Sequence, residues 1–128
     1  MEGLELNALK ISGNSYRPEV DFNPQTGDLI ISGRSILENS PKFYDPIMDW
    51  FKAYAHRPAE KTRFHIKLDY FNTSSSKSLL NIIEILDEMH QSGKHIEILW
   101  YYSDEDMEEL GEDYSHMIDI PFSFLKLN

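Results

Sequence analysis

The sequence predicts an α/β protein in which helices pack on a mixed β-sheet within a single domain. Two segments with alternating apolar residues, 62–71 and 95–102, flank one long amphipathic helical segment. This strand–helix–strand order is long enough for a parallel crossover, and a predicted hairpin precedes it. The chain has 128 residues, of which 41% are hydrophobic, so we predict one domain with one core over residues 1–128.

The first third of the chain has the pattern of short strands joined by turns. Residues 6–11 indicate a first short strand, and Val20 and Phe22 alternate in a second. The segment 23–27 has proline and glycine at positions typical of a turn. Residues 28–32 are therefore predicted to be the return strand of a hairpin.

The next segment predicts a helix that begins near residue 40. Ser40 suits the N-cap position, and Pro41 suits the first helical position, where its missing N–H has no consequence. Pro46 indicates either a kink or a shorter helix, and residues 56–58 end the helix. Apolar and aromatic residues recur at helical spacing and predict its buried face: Phe43, Ile47, Trp50, Phe51 and Tyr54.

A strand at 62–71 and a helix from Thr73 to Gln91 form the centre of the predicted fold. Gly93 suits the left-handed residue that ends many helices. Alternation places four side chains on one face of the strand, namely Phe64, Ile66, Leu68 and Tyr70. The apolar face of the helix contains Leu79, Ile82, Ile83, Leu86, Met89 and His90.

A helical wheel separates the first residues of this second helix. Ser75 and Ser76 turn toward the apolar face, where small side chains allow the helix and the sheet to pack closely. Thr73, Ser74 and Lys77 fall nearer the polar side. We therefore expect Thr73 to be the more accessible hydroxyl and Ser75 to be largely buried.

The last third of the chain predicts a strand, an acidic segment and an edge strand. Residues 95–102 are rich in branched and aromatic side chains, which favour a strand. Residues 104–113 contain seven acids and no base, and they suit a short helix. Residues 118–127 suit a final strand at a sheet edge, because Pro121 has no backbone N–H to donate.

The composition excludes several classes of function. The chain has no cysteine, which rules out disulfides, thiolate metal sites and cysteine nucleophiles. Its formal net charge of −10 repels nucleic acid and anionic membranes and attracts basic protein surfaces. No apolar run approaches the roughly 20 residues of a membrane span, and no signal-peptide pattern is present, so a cytoplasmic location is expected.

The polar run Asn72–Ser76 lies where the central strand ends and the second helix begins. The first N–H groups of a helix lack internal partners, and the helix dipole is positive at that end. Such a position suits a side-chain cap, a bound anion or a phosphorylated hydroxyl. Capping is the commonest role of these residues, although the run contains more hydroxyls than a cap requires.

Other chemistry has little support in the sequence. Asp87 and His90 have the spacing of two metal ligands, but no third ligand is suitably placed, so no metal and no cofactor are predicted. A hydrolase could combine Ser74 or Ser75 with Asp69 and a histidine, but the chain has no G-x-S-x-G elbow. It also has no Walker-type or dinucleotide-binding loop.

The run Asn72–Ser75, followed by Lys77 and an apolar helix, resembles the signature of the SiaC family of regulatory phosphoproteins. Ser76 departs from the family pattern, as does Leu37, which stands in place of a proline. Segments along almost the whole chain also resemble this family: residues 18–22, 27–33, 38–50, 100–102 and 121–122.

The resemblance implies a STAS-like fold of the anti-anti-sigma-factor type and a partner switch. In such a switch a Ser/Thr protein kinase phosphorylates Thr73 and a PP2C-like phosphatase removes the phosphate. The unphosphorylated protein, itself without catalytic activity, then binds an effector such as a diguanylate cyclase. We expect the partner-binding surface to include Asn72, Thr73, Ser74 and Lys77.

Two alternatives stay open at this point. One is a constitutive acidic interaction domain without phosphorylation, and the other is a hydrolase that uses the Ser/Thr cluster. The sequence also leaves open whether Ser74 or Ser75 is modified in addition to Thr73, which kinase acts, and which oligomeric state the protein has.

Overall fold

Six strands form one mixed sheet whose order in space follows their order along the chain. The computed structural model describes residues 6–127, and the ends of the predicted domain, residues 1–5 and 128, lie outside the described residues. The strands are β1 (Leu9–Ile11), β2 (Glu19–Phe22), β3 (Asp28–Ser35), β4 (Thr62–Phe71), β5 (Ile96–Tyr102) and β6 (Phe122–Lys126). Helices α1 (Ser40–Tyr54), α2 (Thr73–Gln91) and α3 (Glu105–Ser115) alternate with the last four strands.

Of the six strands, β2 runs opposite to the other five. Strands β1, β2 and β3 are antiparallel, whereas the pairs β3–β4, β4–β5 and β5–β6 are parallel. One helix joins each parallel pair, because parallel strands require a long crossover connection. The predicted single-domain α/β architecture with a mixed sheet and packed helices is confirmed, while its likeness to STAS domains stays a prediction.

The three helices cover one face of the sheet and enclose the core there. The ring of Phe64 in β4 lies 5.5 Å from that of Phe51 in α1, and Trp100 in β5 lies 5.5 Å from Tyr114 in α3. Helix α2 packs beside α1 and buries its apolar face. The opposite face of the sheet carries polar pairs, including Arg63 and Glu97 at 3.6 Å, as expected for a face in contact with water.

The turn between β2 and β3 requires a glycine at residue 27. Gly27 has a φ of +82°, and a Cβ there would collide with the carbonyl oxygen of Lys61. The Asn23 side chain accepts hydrogen bonds from the backbone N–H groups of Gln25 and Thr26. The predicted hairpin is confirmed, and its turn also packs against the start of β4.

Helix α1 corrects one predicted cap. Asn39, and not Ser40, is the N-cap, because the Asn39 side chain accepts a hydrogen bond from the N–H of Lys42 at 3.3 Å. Ser40 is instead the first helical residue, and its hydroxyl is fully buried. Pro46 lies inside the helix, which continues to Tyr54, so the alternative of a shorter helix is wrong.

The alternation of β4 breaks near its end, which corrects the predicted position of Tyr70. Asp69 is an extra residue opposite β3, because the register shifts between Leu68 and Tyr70. Such a β-bulge reverses the direction of the following side chains. Tyr70 is therefore 52% exposed, while Phe71 is buried and its ring contacts that of Trp100.

The remaining elements agree with the sequence predictions. Helix α2 has the predicted bounds, and Gly93 follows it with a φ of +99°. The acidic segment forms α3, with Asp104 as its N-cap. Strand β6 lies at the edge of the sheet, and Pro121 comes directly before it.

Candidate functional site

The polar run predicted from the sequence lies at the edge of the sheet where the parallel strands end. Strand β4 ends at Phe71, and α2 begins two residues later at Thr73. The end of β3 is adjacent, since Ser35 pairs with Phe71. In parallel sheets, this carboxyl-terminal edge is where functional residues commonly meet. We refer to residues 72–77 as the α2 start.

Asn72 makes three hydrogen bonds, of which two join the α2 start to Ser35 and Leu37 and the third caps the helix. Its backbone N–H donates to the carbonyl oxygen of Ser35 at 3.0 Å. Its side-chain Nδ2 donates to the carbonyl oxygen of Leu37 at 2.9 Å, and its Oδ1 accepts from the N–H of Ser75 at 2.9 Å. Asn72 is therefore the N-cap of α2 and also joins two loops, so the position of Thr73 is held from both sides.

A buried network of hydroxyl groups lies directly beneath the α2 start. The Ser75 hydroxyl donates to the carbonyl oxygen of Ser35 at 3.0 Å and accepts from the Ser35 hydroxyl at 2.7 Å. The Ser40 hydroxyl lies 3.2 Å from that of Ser75 and must be the donor, because the proton of Ser75 is already in use. By the same reasoning Tyr44 donates to the Ser35 hydroxyl at 2.7 Å. Each hydroxyl of the network therefore has a partner.

Burial also sets the ionisation of this network. Ser75 is 1% exposed, as predicted, and Tyr44 is equally buried. Burial raises the pKa of Tyr44 to about 12, and the hydrogen bond with Ser35 offsets this only in part. The network is therefore uncharged at neutral pH, and Ser75 is not accessible as an acceptor of phosphate.

A second contact joins the α2 start to the acidic helix α3. The hydroxyl of Tyr114 donates to the carbonyl oxygen of Ser76 at 3.2 Å and lies 2.6 Å from the Ser76 hydroxyl, which donates in return. Burial raises the pKa of Tyr114, so this hydroxyl keeps its proton at neutral pH. Helix α3 is consequently anchored beside α2 rather than free in solvent.

Thr73, Ser74 and Lys77 form the exposed part of the α2 start. The predicted contrast between an accessible Thr73 and a buried Ser75 is confirmed. Within residues 6–127, no hydrogen bond involves the Thr73 side chain, and the backbone N–H groups of Thr73 and Ser74 have no protein acceptor. Lys77 lies one turn after Thr73, at the i+4 position, where helical side chains are neighbours.

The sequence predicted the exposed residues of this site but not the buried residues that hold them in place. Asn72, Thr73, Ser74 and Lys77 come together because they follow one another in the chain. Ser35, Ser40 and Tyr44 were not recognised, since they come from other elements and reach Ser75 only in the fold. The sequence signal that could have indicated this network is a serine at a buried strand position, as at Ser35.

Within residues 6–127, no hydrogen bond joins a serine of the α2 start to a histidine. The hydrogen bonds of the Ser75 hydroxyl go to Ser35 and Ser40, and no histidine of the described chain bonds to this network. His65 lies on the helix-free face, where its ring nitrogens are 3.2 Å from Asp28 and 3.1 Å from Tyr101. Residues 6–127 contain no group of three or more potential metal ligands and no helix that is long and apolar enough to cross a membrane.

One family model and one protein of known sequence match nearly the whole chain. The family model of the SiaC family regulatory phosphoprotein matches residues 11–127. An uncharacterized protein of Pseudomonas aeruginosa (strain UCBPP-PA14) is 32% identical over 123 residues, which cover 92% of this chain and 95% of that protein.

Two solved structures have the same fold. The crystal structure of apo-SiaC from Pseudomonas aeruginosa is 28% identical and superposes with a TM-score of 0.87, covering 93% of this chain and 98% of that chain. SiaC in its complex with the diguanylate cyclase SiaD, whose activator it is, is 29% identical with a TM-score of 0.88, covering 93% and 99%. Since the family model spans nearly the whole sequence, the chain belongs to the SiaC family of regulatory phosphoproteins.

Proposed function

We propose that this protein is a non-catalytic binding module whose contact with an effector is controlled by phosphorylation of Thr73. A Ser/Thr protein kinase adds the phosphate and a PP2C-like phosphatase removes it. The unphosphorylated form binds the effector through a surface that includes Asn72, Thr73, Ser74 and Lys77. One SiaC-like domain, over residues 1–128, carries this function.

The observation that carries the proposal is the division of the α2 start into an exposed and a buried half. The Thr73 hydroxyl is accessible to another protein and contributes to no hydrogen bond of the described chain. The structural roles belong to Asn72 and Ser75. A phosphate on Thr73 can therefore change the surface of the protein while it leaves the cap and the core in place.

The first turn of α2 supports a phosphate group electrostatically. The backbone N–H groups of Thr73 and Ser74 are available, and the positive end of the helix dipole lies at the same place. Lys77 adds one positive charge on the neighbouring turn. These features favour a folded phosphoprotein over one that unfolds on modification.

The same phosphate would oppose binding of a partner. It adds about −1.5 to −2 charges at neutral pH to a chain that already has a formal net charge of −10. An effector that covers Thr73 would have to remove this group from water, which costs free energy unless new partners replace the water. The expected result is a switch at the interface and not a change of fold.

A diguanylate cyclase is the effector class that we propose. In Pseudomonas aeruginosa, SiaC is the activator of the diguanylate cyclase SiaD, and SiaC in that complex shares the fold of this chain with a TM-score of 0.88. We place the protein in the cytoplasm, because the kinase requires ATP. We propose neither nucleic acid nor a membrane as a partner.

Titration of the effector tests this proposal. A diguanylate cyclase encoded beside this chain, or failing that SiaD, is titrated with unmodified protein, with protein phosphorylated on Thr73, and with the variants Thr73→Ala and Thr73→Asp. Phosphorylation should weaken binding by about tenfold to a hundredfold, the value of one charge-assisted contact of roughly 1.5–3 kcal/mol. Thr73→Asp should reproduce part of this loss, because a carboxylate has less charge, and Thr73→Ala should keep most of the affinity.

Ser74→Ala is the matched control, because Ser74 is also exposed in the same turn. Its phosphorylated form should lose affinity as the native phosphoprotein does, and circular dichroism should show equal folding of all samples. Equal affinity of the phosphorylated and unmodified proteins would exclude the switch and favour a constitutive interaction domain. Tighter binding of the phosphoprotein would reverse the direction of the switch.

A further inference from the structure

A shallow groove of about 430 Å³ lies next to the α2 start and has no role in the function proposed above. It is lined by Tyr16 from the loop between β1 and β2 and by residues 36–39, which connect β3 to α1. The Nδ2 of Asn72 donates to the carbonyl oxygen of Leu37 at 2.9 Å, so one wall of the groove is bonded to the segment that contains Thr73. The groove and Thr73 are therefore parts of one continuous surface.

Backbone hydrogen bonds hold the two walls of this groove together without a partner. The backbone N–H of Ile36 donates to the carbonyl oxygen of Tyr16 at 2.8 Å, which joins its two walls. The N–H of Tyr16 donates to the Asn14 side chain at 3.0 Å, and the Asn39 side chain caps α1. A surface that is already ordered loses less conformational entropy on binding, which favours its use as a docking site.

The groove is lined by three apolar or aromatic side chains, the amide of Asn39 and one acid, Glu38. Tyr16 is 56% exposed and contributes an aromatic ring, while Ile36 and Leu37 contribute half-buried apolar side chains. Glu38 is exposed and forms no ion pair with another residue of the described chain. Arg17 lies nearby in the sequence but does not line the groove, and its Nε donates to the carbonyl oxygen of Ser12.

We propose that this groove receives an arginine side chain of the effector protein. The aliphatic part of an arginine can pack on Ile36 and Leu37, its guanidinium can stack on the ring of Tyr16, and Glu38 can accept its hydrogen bonds. The net charge of −10 also favours a basic residue over an acidic one. The inference rests on the proposed function, because it assigns the groove to the same partner that covers Thr73.

A second groove of the same volume provides an internal control. It is also about 430 Å³, lies between α1 and α2, and contains Glu88, Lys52 and Ile85 among its lining residues. Glu88 shares this groove with Lys52, whose positive charge repels an arginine. An arginine should therefore bind more weakly there than beside Glu38. Glu88→Gln therefore removes one exposed acid from a comparable groove and leaves the proposed docking site unchanged.

The experiment is an NMR titration of this protein with a capped tripeptide that has arginine between two alanines. The same tripeptide with citrulline, which has nearly the same shape but no charge, is the matched probe. We expect the arginine peptide to shift the amide signals of Tyr16 and residues 36–39. Glu38→Gln should weaken its binding at least about threefold, as should the citrulline substitution, in agreement with the modest strength of exposed ion pairs. Tyr16→Ala should weaken it by a similar factor, and Glu88→Gln should not.

Equal affinity for the arginine and citrulline peptides, or an unchanged affinity of Glu38→Gln for the arginine peptide, would overturn the assignment. Shifts centred on the groove of Glu88 would overturn it as well. Titration of the effector gives a second readout: Glu38→Gln should weaken its binding at least about threefold, whereas Glu88→Gln should leave it unchanged. If phosphorylation of Thr73 weakens effector binding and Glu38→Gln does not, the groove assignment alone is refuted. If Glu38→Gln weakens effector binding and phosphorylation does not, the switch alone is refuted.

Discussion

Replacing Asn72 by alanine tests whether this residue holds the α2 start in place. The change removes the cap hydrogen bond from the N–H of Ser75 and the bond to the carbonyl oxygen of Leu37, each 2.9 Å long. Loss of an asparagine cap costs about 0.5–2 kcal/mol, and loss of a second hydrogen bond costs about 0.5–1.5 kcal/mol. We therefore expect the free energy of unfolding to fall by about 1–3.5 kcal/mol.

Urea denaturation followed by circular dichroism measures this difference, provided that the slope of the transition is unchanged. Asn72→Asp separates the two hydrogen bonds, because aspartate keeps the cap acceptor but cannot donate to Leu37. Its negative charge is also favourable at a helix N-terminus, so we expect a loss below about 1 kcal/mol. Thr73→Ala should change stability by less than about 0.5 kcal/mol, because the Thr73 hydroxyl is exposed and is not the cap.

Two results would refute this reasoning. A loss below about 0.5 kcal/mol for Asn72→Ala would show that the two hydrogen bonds do not hold the α2 start. Similar losses for Asn72→Ala and Thr73→Ala would show that the Thr73 hydroxyl shares the capping role. In the second case phosphorylation of Thr73 would disturb the helix itself, and the proposed switch would act through the fold.

Three further variants test the packing beneath the site. Ser75→Ala should lower the free energy of unfolding by about 1–3 kcal/mol in urea denaturation, because the buried hydroxyls of Ser35 and Ser40 lose their acceptor, while the Ser35 carbonyl keeps the N–H of Asn72; a neutral result would contradict the network. Gly111→Ala should cost about 1–3 kcal/mol, since a Cβ there would lie 2.6 Å from the ring of Trp100; a gain from helix propensity would show that the ring can move. Tyr44 ionises near 10 in the unfolded chain and at about 12 in the fold, so the native protein should lose stability as the pH rises from 10 to 12. Between pH 10 and pH 12 the free energy of unfolding of the native protein should fall by about 2 kcal/mol more than that of the Tyr44→Phe variant. Equal pH profiles of the two proteins would contradict this expectation.

The sequence by itself determined the elements of the fold and their order. The periodicity of apolar residues was sufficient to predict α2 within its observed bounds, because that helix has one strongly apolar face. The exposure of Thr73 and the burial of Ser75 also followed from local geometry, since residues of one turn point in fixed directions. The resemblance to the SiaC family was visible for the same reason, because its signature is contiguous in the chain.

Only the tertiary structure decided which atoms the polar side chains contact. Ser40 has the sequence context of an N-cap, yet its hydroxyl belongs to the buried network of Ser75, and Asn39 caps α1 instead. Tyr70 follows the alternation of β4, yet a bulge turns it outward. The physical reason is that local patterns fix the direction of a side chain only while the backbone stays regular. Hydrogen bonds between distant segments, such as Asn72 with Leu37, depend on how the whole sheet brings those segments together.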